Sequence, residues 1–208
     1  MDDVSFRLPR SRHWRLSRAA TMEWVIEVAQ ELDLRHAGTA RHCETVACYA
    51  EAIGRELELS EEQTRSLRLA GLLHDVGKIG IDGSIVGKPG PLSNHEWLAM
   101  RDHPRIGADI LDNAGLDDIR EWVLAHHERP DGAGYPRGLS AEEIPLESKI
   151  LAVADAYEAM TTDRCYRDSI GRERALGELR RNAGTQFDRT VVEAFIQLLE
   201  REELEDAA

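Results

Sequence analysis

Residues 60–78, SEEQTRSLRLAGLLHDVGK, combine a helix start with chemically active side chains at the helix end. Ser60 followed by Gln63 is a capping-box pattern, in which two side chains satisfy free N–H groups in the first turn of a helix. The pattern predicts a helix over about 60–74, which the adjacent pair His74-Asp75 closes. The stretch therefore indicates a helical fold that presents an imidazole and a carboxylate from one turn of backbone.

Helical periodicity continues through the rest of the chain. Apolar residues recur at helical spacing in two segments, namely Met22, Val25, Ile26, Ala29 and Leu32, and then Val46, Ala47, Ala50 and Ile53. Ser93 and Glu96 form a second capping box. Further helices are predicted at about 94–101, 105–113, 117–127, 148–162, 171–182 and 188–204. Strand alternation is nearly absent, and two Gly- and Pro-rich loops, Gly77–Pro91 and Glu128–Pro145, interrupt the helices. We predict an all-α fold, a compact multi-helix bundle.

The charge balance limits the classes of partner. Among 208 residues, 26 Lys and Arg face 39 Asp and Glu, so the net charge is −13. This argues against a general nucleic-acid binder, because phosphate recognition needs a broad basic face. No run approaches the roughly 18 apolar residues that a membrane span needs, and no signal-peptide core is present. We expect a cytoplasmic protein with no membrane span.

The first 18 residues differ from the acidic remainder because they hold five arginines with little apolar periodicity. We interpret residues 1–18 as an arm or linker, with a docking segment for an acidic partner as the alternative, and residues 19–208 as one domain. The three cysteines, Cys43, Cys48 and Cys165, lack metal-knuckle spacing, so we expect buried, reduced thiols.

Histidine and aspartate residues recur at intervals that suit a buried metal site. The candidate ligands are His42, His74, Asp75, His103, His126, His127 and Asp155. Two adjacent pairs each offer two ligands from one turn, and the other three can converge from separate helices. Seven donors exceed the needs of one ion, whereas two divalent ions about 3.5–4 Å apart, bridged by a carboxylate, would use them all. The pattern predicts a buried dinuclear site.

Three further side chains are candidates for phosphate or base contacts. Lys78 lies four residues after His74, so a continuing helical turn would place it on the same face, although Gly77 can end the helix first. The segment His126–Pro136 contains Gly-Tyr-Pro, where Tyr135 can stack on a base. Downstream of Asp155, Arg164 suits a phosphate contact through paired N–H donors.

These residues resemble the HD-GYP proteins, a branch of the HD-domain metal-dependent phosphohydrolases. The resemblance covers about Ala19 to Leu199 and rests on His74-Asp75 with Lys78, on His126–Pro136, and on Asp155–Arg167. It implies a helical HD-domain bundle that hydrolyses cyclic di-GMP, a bacterial second messenger, to linear pGpG and in some members onward to GMP. It also implies a signalling partner, such as a diguanylate cyclase or a receiver domain.

The resemblance assigns a role to each matching position. The seven candidate ligands hold the metal, Asp75 bridges the ions, and Lys78 lies near the attacking hydroxide and the scissile phosphate. Tyr135 lies near the substrate, and Arg164 and Arg167 contact its phosphates. Some members have a glutamate where this chain has Gly38, so we expect two ions rather than three, iron or manganese being favoured.

Three functions are open at this point. The first is a cyclic di-GMP phosphodiesterase, which the full ligand set and the Gly-Tyr-Pro loop favour. The second is an HD-type phosphohydrolase of another nucleotide, and the third is an inactive signalling module that binds the messenger or a partner.

Overall fold

The computed structural model describes Glu27, residues 39–163 and residues 168–206, with side chains for Glu27, 40–163 and 168–201. The predicted arm 1–18 lies outside the described residues, as do the first predicted helix apart from Glu27, and Gly38, Arg164, Cys165 and Arg167. The boundary between arm and domain therefore stays a prediction.

The described parts of the chain are helical and contain no strand longer than an isolated bridge. The α-helices are α1 (Thr39–Glu56), α2 (Glu61–Leu73), α3 (Gly83–Val86), α4 (Asn94–Met100), α5 (His103–Asn113), α6 (Asp117–Ala125), α7 (Leu146–Thr161), α8 (Arg172–Arg181) and α9 (Arg189–Asp206). A 3₁₀ helix, Val76–Gly80, follows α2. The predicted all-α class is confirmed, and so are both capping boxes, which begin α2 and α4.

One hydrophobic core joins the long helices. The predicted apolar face of α1, formed by Val46, Ala47, Ala50 and Ile53, is fully buried. It packs mainly on α2 and α7, and α9 closes the core with Phe195, whose ring meets those of Tyr49 and Tyr157 edge to face. The bundle therefore holds the inward faces of α1, α2 and α7 in fixed register.

Two local expectations need correction. Cys43 is buried as expected, but Cys48 is exposed because it lies on the outer face of α1. There its Sγ lies 3.5 Å from a guanidinium nitrogen of Arg68. The loop Gly77–Pro91 contains two short helical segments, the 3₁₀ helix and α3, and the Asp82 side chain caps the start of α3. No helix among the described residues has the length and apolar character needed to cross a bilayer.

Candidate metal centre

The seven predicted ligands come from separate helices and meet at one place in the bundle. His42 lies on α1, His74 and Asp75 follow α2, His103 begins α5, His126 and His127 follow α6, and Asp155 lies on α7. Helix ends supply most of the set, so two adjacent residues can both face inward. His74, Asp75, His103 and His126 are each at most 2% exposed. Their roles as ligands stay predictions, but the structure brings all seven residues together.

The donor atoms form two groups, and Asp75, which belongs to the first, also lies close to the second. His42, His74 and Asp75 form one group and His103, His126 and His127 the other, each with its donor atoms within 4.8 Å of one another. Asp75 Oδ2 lies 3.5 Å from His74 Nε2, whereas Asp75 Oδ1 lies 3.4 Å from His103 Nε2. Each carboxylate oxygen thus faces a different group, which is the arrangement that a bridging ligand needs.

Hydrogen bonds orient the imidazoles of three histidines toward the centre. Nδ1 of His74, His103 and His126 donates to a backbone carbonyl three residues earlier, at 2.7, 2.8 and 2.6 Å. A ring that carries its proton on Nδ1 presents a lone pair on Nε2, and metal-binding histidines are commonly held in this way. His74 Nε2 is buried without any hydrogen-bond partner. An orphaned nitrogen at this position fits a metal ligand.

The acidic residues of the cluster are ionised. Burial alone raises the pKa of Asp75, but the charge of Lys78 and the nearby histidines outweigh burial and hold that pKa well below its usual value. Burial likewise opposes ionisation of Asp155, yet a hydrogen bond with His42 and nearby imidazoles lower its pKa. The centre therefore offers two carboxylates to a cation at neutral pH.

Burial lowers the pKa of His103, His126 and His127, which keeps these three imidazoles neutral and thus able to bind a metal. Burial lowers the pKa of His103 to about 4 and that of His127 to about 3. His42 differs: burial lowers its pKa, but hydrogen bonds with Asp155 and Glu158 outweigh burial and raise it to about 9. Neutral imidazoles with carboxylates suit a divalent transition ion, so the residues fit a metal.

Lys78 lies against the bridging carboxylate. The α-helix ends at Leu73 and Lys78 sits on the 3₁₀ helix, so the predicted continuing α-helical turn is absent. Lys78 nevertheless lies on the same side as Asp75, as predicted, because its Nζ is 2.5 Å from Asp75 Oδ2. Burial lowers the pKa of Lys78, but the charge of Asp75 outweighs burial and raises it, so the ammonium form persists.

The Gly-Tyr-Pro loop is packed tightly beside the histidine pair. A Cβ on Gly134 would lie 2.5 Å from Glu128 Cα and 2.4 Å from Arg129 N, so only glycine allows this approach. Tyr135 stacks on His127 with 4.8 Å between ring centroids. A cavity of about 460 Å³ opens here, and its lining includes Trp97, Arg101, His126, His127, Tyr135 and Asp155.

Comparison with known proteins identifies the family. The family model described as HD domain matches residues 15–191. The chain belongs to the HD domain family.

Relatives of this HD domain are named as phosphodiesterases of cyclic dinucleotides. It is 38% identical over 178 residues to the cyclic di-GMP phosphodiesterase response regulator RpfG of Xanthomonas campestris, covering 84% of this chain and 47% of that protein. It is 35% identical over 191 residues to the 3'3'-cGAMP-specific phosphodiesterase 3 of Vibrio cholerae, covering 89% and 42%. The chain spans about half the length of these relatives. The resemblance to HD-GYP proteins is confirmed at the level of the family.

Solved structures share the fold of this HD domain. The Vibrio cholerae cyclic GMP-AMP-specific phosphodiesterase V-cGAP3 superposes with a TM-score of 0.63 at 23% identity, covering 86% of this chain and 48% of that one. Bd1817 of Bdellovibrio bacteriovorus, an HD-GYP-type protein, gives 0.65 at 18% identity, covering 88% and 62%. At these identities the likeness establishes the fold alone.

Glu158 is a functional candidate of the HD domain that the sequence analysis missed. It is 2% exposed, and its carboxylate accepts a short hydrogen bond from His42 Nδ1. Glu158 therefore orients the His42 ring, as backbone carbonyls orient the rings of three other histidines. The available signal was its position three residues after Asp155 on the same helix face.

Glu128 was also missed, although it organises the Gly-Tyr-Pro loop. Its buried carboxylate accepts hydrogen bonds from the backbone N–H groups of Arg137 at 2.6 Å and Leu139 at 3.0 Å. The loop is thereby tied to the residue that directly follows the histidine pair. No local sequence pattern indicates these long-range bonds.

Proposed function

We propose that this HD domain is a cytoplasmic, metal-dependent phosphodiesterase that opens cyclic di-GMP to linear pGpG, with GMP as the product of any further hydrolysis. The position of Asp75 carries the proposal, because its two oxygens face two separate groups of candidate ligands. The names of the relatives support a cyclic dinucleotide as the substrate. We further propose two ions, iron or manganese, and a signalling partner such as a diguanylate cyclase or a receiver domain.

The candidate ligands divide between two ion positions. His42, His74 and Asp75 would hold one ion, and His103, His126 and His127 the other, with Asp75 shared and Asp155 at the His42 side, where its Oδ1 lies 3.3 Å from His42 Nε2. When bound, two divalent ions activate water and neutralise charge on the phosphodiester oxygens. The protein's own contribution is to hold these donors close together, with their orientations fixed by hydrogen bonds.

Lys78 and Tyr135 supply polar groups to the reacting phosphate. The Lys78 ammonium, held by Asp75, adds fixed positive charge where negative charge develops on the phosphate oxygens. Burial raises the pKa of Tyr135, so its hydroxyl keeps its proton and can donate a hydrogen bond. We propose that Arg164 and Arg167 clamp the phosphates with paired N–H donors.

A product assay with a metal count tests the proposal. The chain is purified without metal, loaded with Mn²⁺ or Fe²⁺, and incubated with cyclic di-GMP, and products are separated by chromatography. We expect pGpG or GMP at about two ions per chain. A filled two-ion site without any product would overturn this substrate and favour another nucleotide or a binding-only role.

The variant Asp75→Ala tests the bridging role. It should lose both the paired ions and turnover, since the two Asp75 oxygens face His74 of one group and His103 of the other. Asp109→Ala is the matched control, because Asp109 is exposed on α5. Retention of two ions by Asp75→Ala would contradict the assignment.

The Vibrio cholerae relatives suggest 3'3'-cGAMP as a second candidate substrate. The same assay with 3'3'-cGAMP in place of cyclic di-GMP decides between them by the ratio of kcat/KM values.

A further inference from the structure

The cavity beside the metal centre has a wall that the proposed mechanism does not use. Trp97 lines this wall and is 48% exposed, which is unusual for a large aromatic side chain in a single helical domain. Arg101 lies one helical turn further on, and its backbone N–H donates to the Trp97 carbonyl at 3.0 Å. Both side chains therefore lie on the same face of the α4 turn, toward the cavity.

A series of ring contacts links this wall to the candidate metal ligands. Tyr135 stacks on His127, Trp97 meets Tyr135 edge to face at 6.4 Å, and Arg101 Cζ lies 4.6 Å from the Tyr135 centroid. The wall is thus two ring contacts from a candidate metal ligand. A nucleotide whose phosphate lies at the metal centre can reach it with its base.

Arg101 has N–H donors available for a ligand. Within the described residues, no carboxylate oxygen lies within 4.0 Å of its guanidinium, although the chain is strongly acidic. Other arginines nearby are paired: Arg105 with Asp102, and Arg129, which also lines the cavity, with Asp131. The guanidinium of Arg101 instead rests on an aromatic face, which holds it without consuming its in-plane donors.

We propose that Trp97 and Arg101 form a guanine-binding subsite, in which Trp97 stacks on the base and Arg101 donates two hydrogen bonds to guanine O6 and N7. Guanine presents two adjacent acceptors on this edge, whereas adenine presents one acceptor and an amino donor. A paired donor therefore favours guanine and meets adenine with a donor-to-donor clash. Stacking adds affinity for either base. The proposal rests on the proposed function, since it assigns the base-recognition part of the same cavity.

Binding of GMP and AMP to the Mn²⁺-loaded chain tests the subsite without any turnover. The two nucleotides share their phosphate and sugar, so the ratio of their Kd values isolates the base. We expect GMP to bind about 10- to 100-fold more tightly than AMP. Arg101→Met, which keeps an unbranched apolar stem but removes every N–H donor of the side chain, should bring the ratio close to one by weakening GMP alone. Arg105→Met, on an exposed arginine of α5, should leave both Kd values unchanged.

Trp97→Ala tests the stacking role. It should weaken GMP and AMP together, about 10-fold, and leave their ratio nearly constant. Leu98→Ala is the matched control, because Leu98 is 66% exposed beside Trp97 and does not line the cavity.

Three results would overturn the subsite. The first is equal affinity of the wild-type chain for GMP and AMP, and the second is no measurable binding of GMP at millimolar concentration. The third is an equal loss of affinity for both nucleotides in Arg101→Met, which would indicate that Arg101 contacts the phosphate rather than the base. Failure of the proposed function is a separate result, namely no hydrolysis of any cyclic dinucleotide by the metal-loaded chain. A chain that prefers GMP through Arg101 but hydrolyses nothing would keep the subsite and lose the activity.

Discussion

Replacing Gly77 with alanine should separate two parts of the metal centre. Gly77 lies on the 3₁₀ helix, between Asp75 and Lys78, and its Cα faces the start of α5. A Cβ built at this position would lie 1.9 Å from the His103 carbonyl oxygen and 2.5 Å from Gly107 N. Real Cβ contacts essentially never fall below 3.0 Å, so the two backbone segments must move apart by at least about 1.1 Å.

This displacement is large compared with the tolerance of a metal site. Asp75 and His103 face each other across the same contact, with 3.4 Å between Oδ1 and Nε2. Metal–ligand distances are held within about 0.2 Å, so a shift of this size removes His103 or Asp75 from the shared site. We expect metal affinity to fall about 100-fold or more, and the metal-free chain to lose about 1–3 kcal/mol of stability through overpacking.

The measurements are a Mn²⁺ titration in competition with a chelator and denaturant unfolding in the presence of EDTA. Gly177→Ala on α8 is the matched control, because its new Cβ would meet only Arg181 Nη1 at 3.5 Å, an ordinary contact. The control should keep its metal affinity and gain about 0.5–1 kcal/mol from the better helix former. A folded Gly77→Ala chain that binds Mn²⁺ like the wild type would refute the reasoning.

Three other predictions follow from contacts in the described residues. Glu158→Gln should weaken metal binding about 10- to 100-fold, because His42 loses its charged partner; chelator competition measures this, and an unchanged Kd would exclude a positioning role. Leu111→Ala, at a fully buried site, should cost about 2–5 kcal/mol in denaturant unfolding, whereas a cost below 1 kcal/mol would show that the core collapses around the gap. Hydrogen bonds from Lys88 and from the Ser93 N–H and hydroxyl lower the pKa of Glu96 to about 2, so its stabilising contribution is present above about pH 4.5 and is lost as the pH falls toward 2. Lys88→Met should raise the pKa of Glu96 toward 4.5 in a carboxyl NMR titration, and no rise would contradict the bond that anchors α4.

Much of the fold was predictable because its signals are local. Capping boxes involve residues three apart, and the buried face of α1 follows from spacing within one helix, so neither depends on distant parts of the chain. The candidate ligands were predictable for a different reason. Adjacent pairs such as His74-Asp75 and His126-His127 place two metal-binding side chains at one helix end. Such a pair is visible in the sequence without knowledge of the fold.

The supporting residues were not predictable in this way. Glu158 accepts from His42 across 116 residues, a contact that exists only because α1 packs on α7. The stacking of Tyr135 on His127 likewise depends on how the loop folds back, which Gly134 permits through a backbone approach. Cys48 shows the reverse case, since composition favoured burial and the helix phase placed it outside.

By itself the sequence determined the helical class, most helix positions and the set of imidazole and carboxylate donors, because periodicity, capping and motif spacing act within a few residues. Tertiary structure alone decided that Asp75 stands between two groups of donors, that Glu158 holds His42, and that Arg101 lacks a described carboxylate partner beside an exposed Trp97. Each of these features depends on which residues from remote parts of the chain lie near one another. This proximity arises from the packing of whole helices, in which the many apolar contacts of the core outweigh the preferences of any single polar side chain.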